Sequence, residues 1–220
     1  MDILSTCYCR QGKQGVSLLL QQYRYKGVRI IFACIFMGMG ENMGRAGGYM
    51  AEQTLQWFRG LNLKRLARGK EKYMERLGKS LQQVILDTDR ILDDSGIMSQ
   101  GVKVNLAGMV CIENRILMLQ RGVGRICLIN RAFGRTHMQY LRREQDEPTI
   151  VEQGILQPNV GILLSMNSFF DYITEKMVEN GLDIREVISE EQMYRHLQEL
   201  GREAERLGGK EIGLILLRTK

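Results

Sequence analysis

The chain has 220 residues, 44% of them hydrophobic and 25% charged, which is ordinary globular composition and excludes a disordered tail or a fibrous chain. Its net charge of +6 is mild for this length and permits an acidic partner without demanding nucleic acid. Two prolines leave little material for a rigid linker, so one domain over residues 1–220 is expected.

In chain order, residues 16–25 and 28–36 predict two strands joined by a tight turn at Tyr25, Lys26 and Gly27. The second is almost continuously apolar, as a strand buried on both faces would be. Glycines then punctuate the chain at 38, 40, 44, 47 and 48, and a helix follows with Met50, Thr54, Leu55 and Phe58 on one side. Met74, Leu77, Leu81, Val84, Thr88 and Ile91 step by three or four residues and predict one buried stripe on a second helix. Much of the positive excess lies in residues 59–79, where Lys64, Arg65, Arg68, Lys70 and Lys72 read as a solvated helix face.

From Gly101 the pattern turns to short β-type runs at 102–112, 115–120 and 125–130. Glu113-Asn114 suits a hairpin turn, and so does the glycine-flanked gap Gly122-Val123-Gly124. Residues 142–147 read as a polar loop, 162–165 as a buried strand, and 170–180 as a helix stopped by Gly181. Ser189 opens the last helix as an N-cap, with Met193, Leu197, Leu200, Ala204 and Leu207 as its buried stripe. Residues 212–217 are a final strand. This order excludes a simple βαβ wrap and fits an α+β fold of antiparallel sheets with helices on their outer faces.

The polar residues first exclude chemistry. Neither His137 nor His196 has an Asp or Ser at informative spacing, so a Ser-His-Asp arrangement has little support. Of five cysteines, Cys34, Cys111 and Cys127 lie in apolar runs, and Cys7 and Cys9 would share a strand face. No second pair completes a zinc site, so they read as free thiols in a reducing compartment. The junction after Phe36 lacks the third glycine and the distal acid of a dinucleotide fingerprint. The longest apolar run, 28–39, is too short to cross a bilayer, and no leader pattern is visible, so a cytoplasmic protein is expected.

Five frames in order resemble the motifs of the PPM (type 2C) metal-dependent Ser/Thr protein phosphatases and cover nearly the whole chain. They are Arg10 to Gly15; Phe36-Met37-Gly38-Met39-Gly40-Glu41 followed by Ala46-Gly47-Gly48; Gly101-Val102-Lys103 with Gly122-Val123-Gly124-Arg125; Gln157-Pro158-Asn159 leading into Ser165-Met166-Asn167 and on to Asp171; and Lys210-Glu211-Ile212. The resemblance implies an α-β-β-α sandwich of two antiparallel sheets flanked by helices. It also implies a centre where aspartates hold two Mg²⁺ or Mn²⁺ ions, a backbone carbonyl at Gly38 assists, and an N-terminal arginine, here Arg10, binds phosphate.

At the positions the resemblance assigns to acidic ligands stand Gly15, Met37, Asn167 and Glu211. A thioether is a soft ligand and an amide is neutral, whereas a dinuclear centre of hard cations needs several carboxylates. The expectation is therefore a catalytically inactive PPM-like domain with no cofactor. It would be a binding or regulatory module in Ser/Thr phosphorylation signalling, with a phosphoprotein or kinase as partner and neither membrane nor nucleic acid. The alternative is a Ser/Thr phosphatase with residual or altered metal-dependent hydrolysis, drawing on Glu211, Asp171, Asp146 or Glu147. The family places an Asp at 171 outside the metal shell, which favours a structural role for it. A nucleic-acid surface at residues 59–79 ranks last, with Tyr73 its lone aromatic.

Overall fold

The computed structural model describes residues 3–10, 15–38, 42–68, 71–97, 103–132, 135–141, 147–182 and 189–219. Their elements run β1 (Ile3–Cys9), β2 (Val16–Tyr25), β3 (Val28–Met37), α1 (Met43–Arg59), α2 (Leu63–Leu66), α3 (Glu71–Asp94), β4 (Asn105–Ile112) and β5 (Arg115–Arg121). There follow β6 (Gly124–Ala132), β7 (Arg135–Tyr140), β8 (Thr149–Ile155), β9 (Gly161–Met166), α4 (Asn167–Phe170), α5 (Glu175–Gly181), α6 (Glu190–Arg206) and β10 (Gly213–Thr219). The strands form two five-stranded sheets, in order β1-β10-β9-β6-β7 and β2-β3-β4-β5-β8. Every pairing is antiparallel.

The continuous apolar run of β3 is explained by its two faces. Ile31, Ala33, Ile35 and Met37 enter the layer between the sheets, while Ile30, Phe32, Cys34 and Phe36 face α1 and α3. Both sets are needed, because a central strand with a sheet on one side and helices on the other has no wet face. Phe32 and Phe58 stack with ring centroids 4.8 Å apart in the outer layer. Met193, Leu197 and Ala204 of α6 cover Cys127, Leu163 and Leu214 on the opposite side. Three apolar layers thus separate four structural ones, the sandwich that the resemblance implies.

The β2–β3 hairpin forms as expected, with positive φ at Lys26 (51°) and Gly27 (85°), the signature of a type I′ turn. The Glu113-Asn114 hairpin forms as well. At Ser189 the N-cap expectation holds, and Gln192 returns a bond to it, completing a capping box.

Several expectations are corrected. The Gly122-Val123-Gly124 gap is no hairpin: β5 pairs with β4 and β8, β6 pairs with β7 and β9, and the gap carries the chain from one sheet to the other. A Cβ on Gly124 would lie 1.9 Å from the Leu106 carbonyl oxygen, so glycine there lets the two sheets meet backbone to backbone. The helix expected at 170–180 is two pieces, α4 and α5, and Gly181 closes α5 from within, with Leu182 as its C-cap. The stripe of α3 holds at Met74, Leu77, Leu81 and Thr88, but its C-terminal part is turned, with Ile85, Asp89 and Leu92 buried, Val84 half-buried and Ile91 47% exposed. Leu207 is likewise exposed, just past the end of α6. β7 and β8 were not anticipated. The start of the Gly101 run and residues 142–146 of the polar loop lie outside the described residues.

Candidate functional site

The strand register gathers the family-like positions at one end of the sandwich. Val16 opens β2 opposite Met37 at the end of β3, and Met37 lies opposite Asn105 at the start of β4. In the other sheet Cys9 closes β1 opposite Gly213, and Gly124 opens β6 opposite Met166. Arg10, Gly15, Gly38, Asn167 and Glu211 are the residues flanking these strand ends, so the fold brings all six predicted positions to a common end.

Contacts between the sheets confirm the convergence. A Cβ on Gly15 would fall 2.6 Å from Cδ of Glu211. Gly47, in the first turns of α1, packs so closely that its Cβ would lie 3.3 Å from the Gly38 nitrogen and 3.6 Å from the Gly15 oxygen. Of the motif-frame glycines, Gly47 is one that lets helix and strand ends touch.

The centre of this end is apolar and internally hydrogen-bonded. Met37 is 7% exposed and belongs to the inter-sheet core, together with Met166. Asn105 accepts at Oδ1 from the Val123 backbone N–H at 3.0 Å, and the Asn167 N–H donates to the Val123 carbonyl at 2.7 Å. The Arg125 guanidinium, itself buried, donates from Nε to Asn167 Oδ1 at 3.1 Å and from its terminal nitrogen to the Gly124 carbonyl at 3.0 Å. The sequence frames pointed to Gly122 through Arg125 as a motif. The part played by Asn105 becomes visible only with the pairing of β3 and β4.

Arg10 is tied to the same end. Its N–H donates to the Ile212 carbonyl at 3.1 Å, and its guanidinium donates to the Gly209 carbonyl at 2.7 Å. Beside it, a polar groove of about 510 Å³ opens between β1 and α6, lined by Cys7, Cys9, Arg10, Tyr194, Arg202 and Glu205 among others. Tyr8 donates to Glu205 at 2.8 Å, and burial followed by that carboxylate pushes the phenol up to about 12. Burial also pushes the Cys7 and Cys9 thiols up, which disfavours their thiolates.

The remaining acids of the sequence reading are placed apart from this cluster or outside the description. Asp171 is exposed at the C-cap of α4. Glu147 pairs with Lys103 at 2.5 Å, and Asp146 lies outside the described residues. Among the described residues, no group of three or more His, Cys, Asp or Glu side chains stands close enough to hold a metal ion. The histidines are apart too: His137 is exposed on β7, and His196 sits on α6 with Glu199 at 3.9 Å.

No family model matches the sequence, and no curated protein matches it either. Solved structures do. PppA, a key regulatory component of T6SS in Pseudomonas aeruginosa, is 14% identical, with a TM-score of 0.69 over 99% of this chain and 98% of that one. The S. agalactiae serine/threonine phosphatase is 12% identical, with a TM-score of 0.70 over 100% of both chains. The Mycobacterium tuberculosis serine/threonine phosphatase PstP/Ppp is 13% identical, with a TM-score of 0.70 over 99% of both. The two antiparallel sheets with flanking helices are the fold of the PPM-type Ser/Thr protein phosphatases, as the motif frames implied.

Proposed function

We propose that this chain is a PPM-phosphatase-like domain without metal-dependent hydrolysis, which works as a binding or regulatory module for a protein partner. The observation that carries the reading is the donor set at the strand ends. Asn167, where the resemblance puts an anionic ligand, presents a neutral amide oxygen that already accepts from the buried guanidinium of Arg125. Met37 presents a thioether packed in the inter-sheet core, and Gly15 presents no side chain. Glu211 alone is anionic at those four positions.

Such a set is a poor match to a pair of Mg²⁺ or Mn²⁺ ions. Two dications about 3.5–4 Å apart repel each other and need several hard oxygen anions to offset that repulsion. Of the four positions one carries a carboxylate, and a buried guanidinium is bonded to the amide at another. The residues at these four positions do not fit the metals.

That a chain of this fold, PppA, is a key regulatory component of T6SS supports a regulatory role exerted through protein contacts. A phosphoprotein or a kinase in Ser/Thr phosphorylation signalling is the partner class the fold suggests. A cytoplasmic setting accords with five free cysteines, and no described helix is long and apolar enough to cross a membrane.

The test is turnover. Purified chain is incubated with Mn²⁺ and phosphoserine or phosphothreonine peptides, and released phosphate is measured beside a metal-dependent phosphatase of the same fold. Release no faster than in a protein-free control is expected. Metal-dependent release comparable to that enzyme would overturn the reading and favour residual catalysis.

A further inference from the structure

Between positions 59 and 79 lie eight lysines and arginines and two glutamates, so this one stretch carries a charge equal to the +6 of the whole chain. The fold concentrates it. Trp57 near the end of α1 donates from its indole nitrogen to Ser80 Oγ on α3 at 3.0 Å, and α2 lies between those helices in the chain. Arg59, Lys64, Arg65, Arg68, Lys72 and Arg76 are all exposed there. Among the described residues, Lys79 is the cation of this stretch held in an ion pair, with Glu75 at 2.8 Å. The stretch of α1 from Gly47 to Arg59, about 18 Å of helix, separates this surface from the strand ends that Gly47 touches.

The character of the surface narrows its partner. Its apolar side chains turn inward: Leu66 is buried, and Leu61, Leu63 and Tyr73 pack against the outer core. Among the described residues of this face no apolar side chain is exposed as a bilayer contact would need, and half-buried Trp57 packs against Phe32 and Phe58, which disfavours its stacking on bases. The cations are distributed over the end of α1, over α2 and the turn after it, and over the start of α3. On α3, Lys72 and Arg76 stand one helical turn apart, and Lys64 and Arg65 on α2 with Arg68 in the turn after it extend the row of charge. An extended run of carboxylates matches that spacing, and arginine forks suit them.

We propose that this face docks an acidic, Asp/Glu-rich segment of a protein partner, which deepens and rests on the reading that the chain acts through a protein partner. The probe is a fluorescein-labelled Glu/Asp-rich peptide followed by anisotropy, beside the same peptide with Gln/Asn, a DNA duplex and phosphatidylserine vesicles. The variants are Lys72→Glu with Arg76→Glu, and a control of equal charge change on α6, Arg195→Glu with Arg206→Glu, both exposed.

Binding of the acidic peptide is expected to weaken about tenfold or more in the first variant and with added salt, and less than about twofold in the control. The Gln/Asn peptide should not bind. The proposal is overturned by no binding of the acidic peptide, by equal loss in both variants, or by tighter binding of DNA or vesicles than of peptide. Failure of this surface shows in anisotropy, whereas failure of the reading beneath it shows as Mn²⁺-dependent turnover.

Discussion

The Nε of Arg125 donates to Oδ1 of Asn167 at 3.1 Å, joining the start of β6 to the start of α4 across the paired ends of β6 and β9. Asn167→Ala removes an acceptor from a buried guanidinium and should lower stability by about 1–3 kcal/mol in urea unfolding. Asn167→Asp instead places a carboxylate beside that cation, so stability should hold or rise. Because the new charge is spent on Arg125, Mn²⁺-dependent phosphate release should remain absent in Asn167→Asp.

Two glycines make opposite predictions. A Cβ on Gly124 meets backbone atoms of Leu106 and Ala107, which cannot step aside, so Gly124→Ala should cost about 3 kcal/mol or more. A Cβ on Gly48 within α1 would lie in ordinary contact range of Ser17 Oγ, at 3.9 Å. Gly48→Ala should therefore stabilise by about 0.5–1 kcal/mol through helix propensity. Thermal unfolding of both variants checks the pair.

Arg121 and Asp89 form a buried ion pair that fastens α3 to β5. The guanidinium binds both carboxylate oxygens and also donates to the Val104 carbonyl. Removing one partner leaves a charge stranded in the interior, so Asp89→Ala should cost about 3–5 kcal/mol. The double variant Asp89→Leu with Arg121→Met should recover much of that loss, and chemical denaturation measures both.

Thiol reactivity reports the same layering. Burial pushes Cys111 up to about 12 and raises Cys34 and Cys127 as well, so their reactive thiolates are suppressed around pH 8. Iodoacetamide should label exposed Cys9 first, Cys7 slowly, and the other three only after unfolding. Mass spectrometry counts the adducts, and early labelling of Cys34 would contradict the buried outer layer.

The sequence made legible what local chemistry encodes. The apolar run of β3, the Lys26-Gly27 turn and the Ser189 cap are each fixed by neighbours in the chain. β7 was illegible because Arg135–Tyr140 is polar and alternates exposed with half-buried residues at a sheet edge. The crossing at 122–124 looked like a hairpin because glycine serves equally in a tight turn and where two backbones meet. Burial of Asp89 depended on Arg121, 32 positions away. At the candidate site the frames picked out six positions that the fold gathers at one end, but the Arg125–Asn167 bond and the bond from Val123 to Asn105 arise from strand register. Periodicity carries no trace of them.

The most direct measurement of the central claim is calorimetric titration of the purified chain with Mn²⁺, repeated on Glu211→Ala. The account predicts no saturable uptake of two ions by either protein. Tight binding of an ion pair by the wild type, abolished in Glu211→Ala, would contradict it.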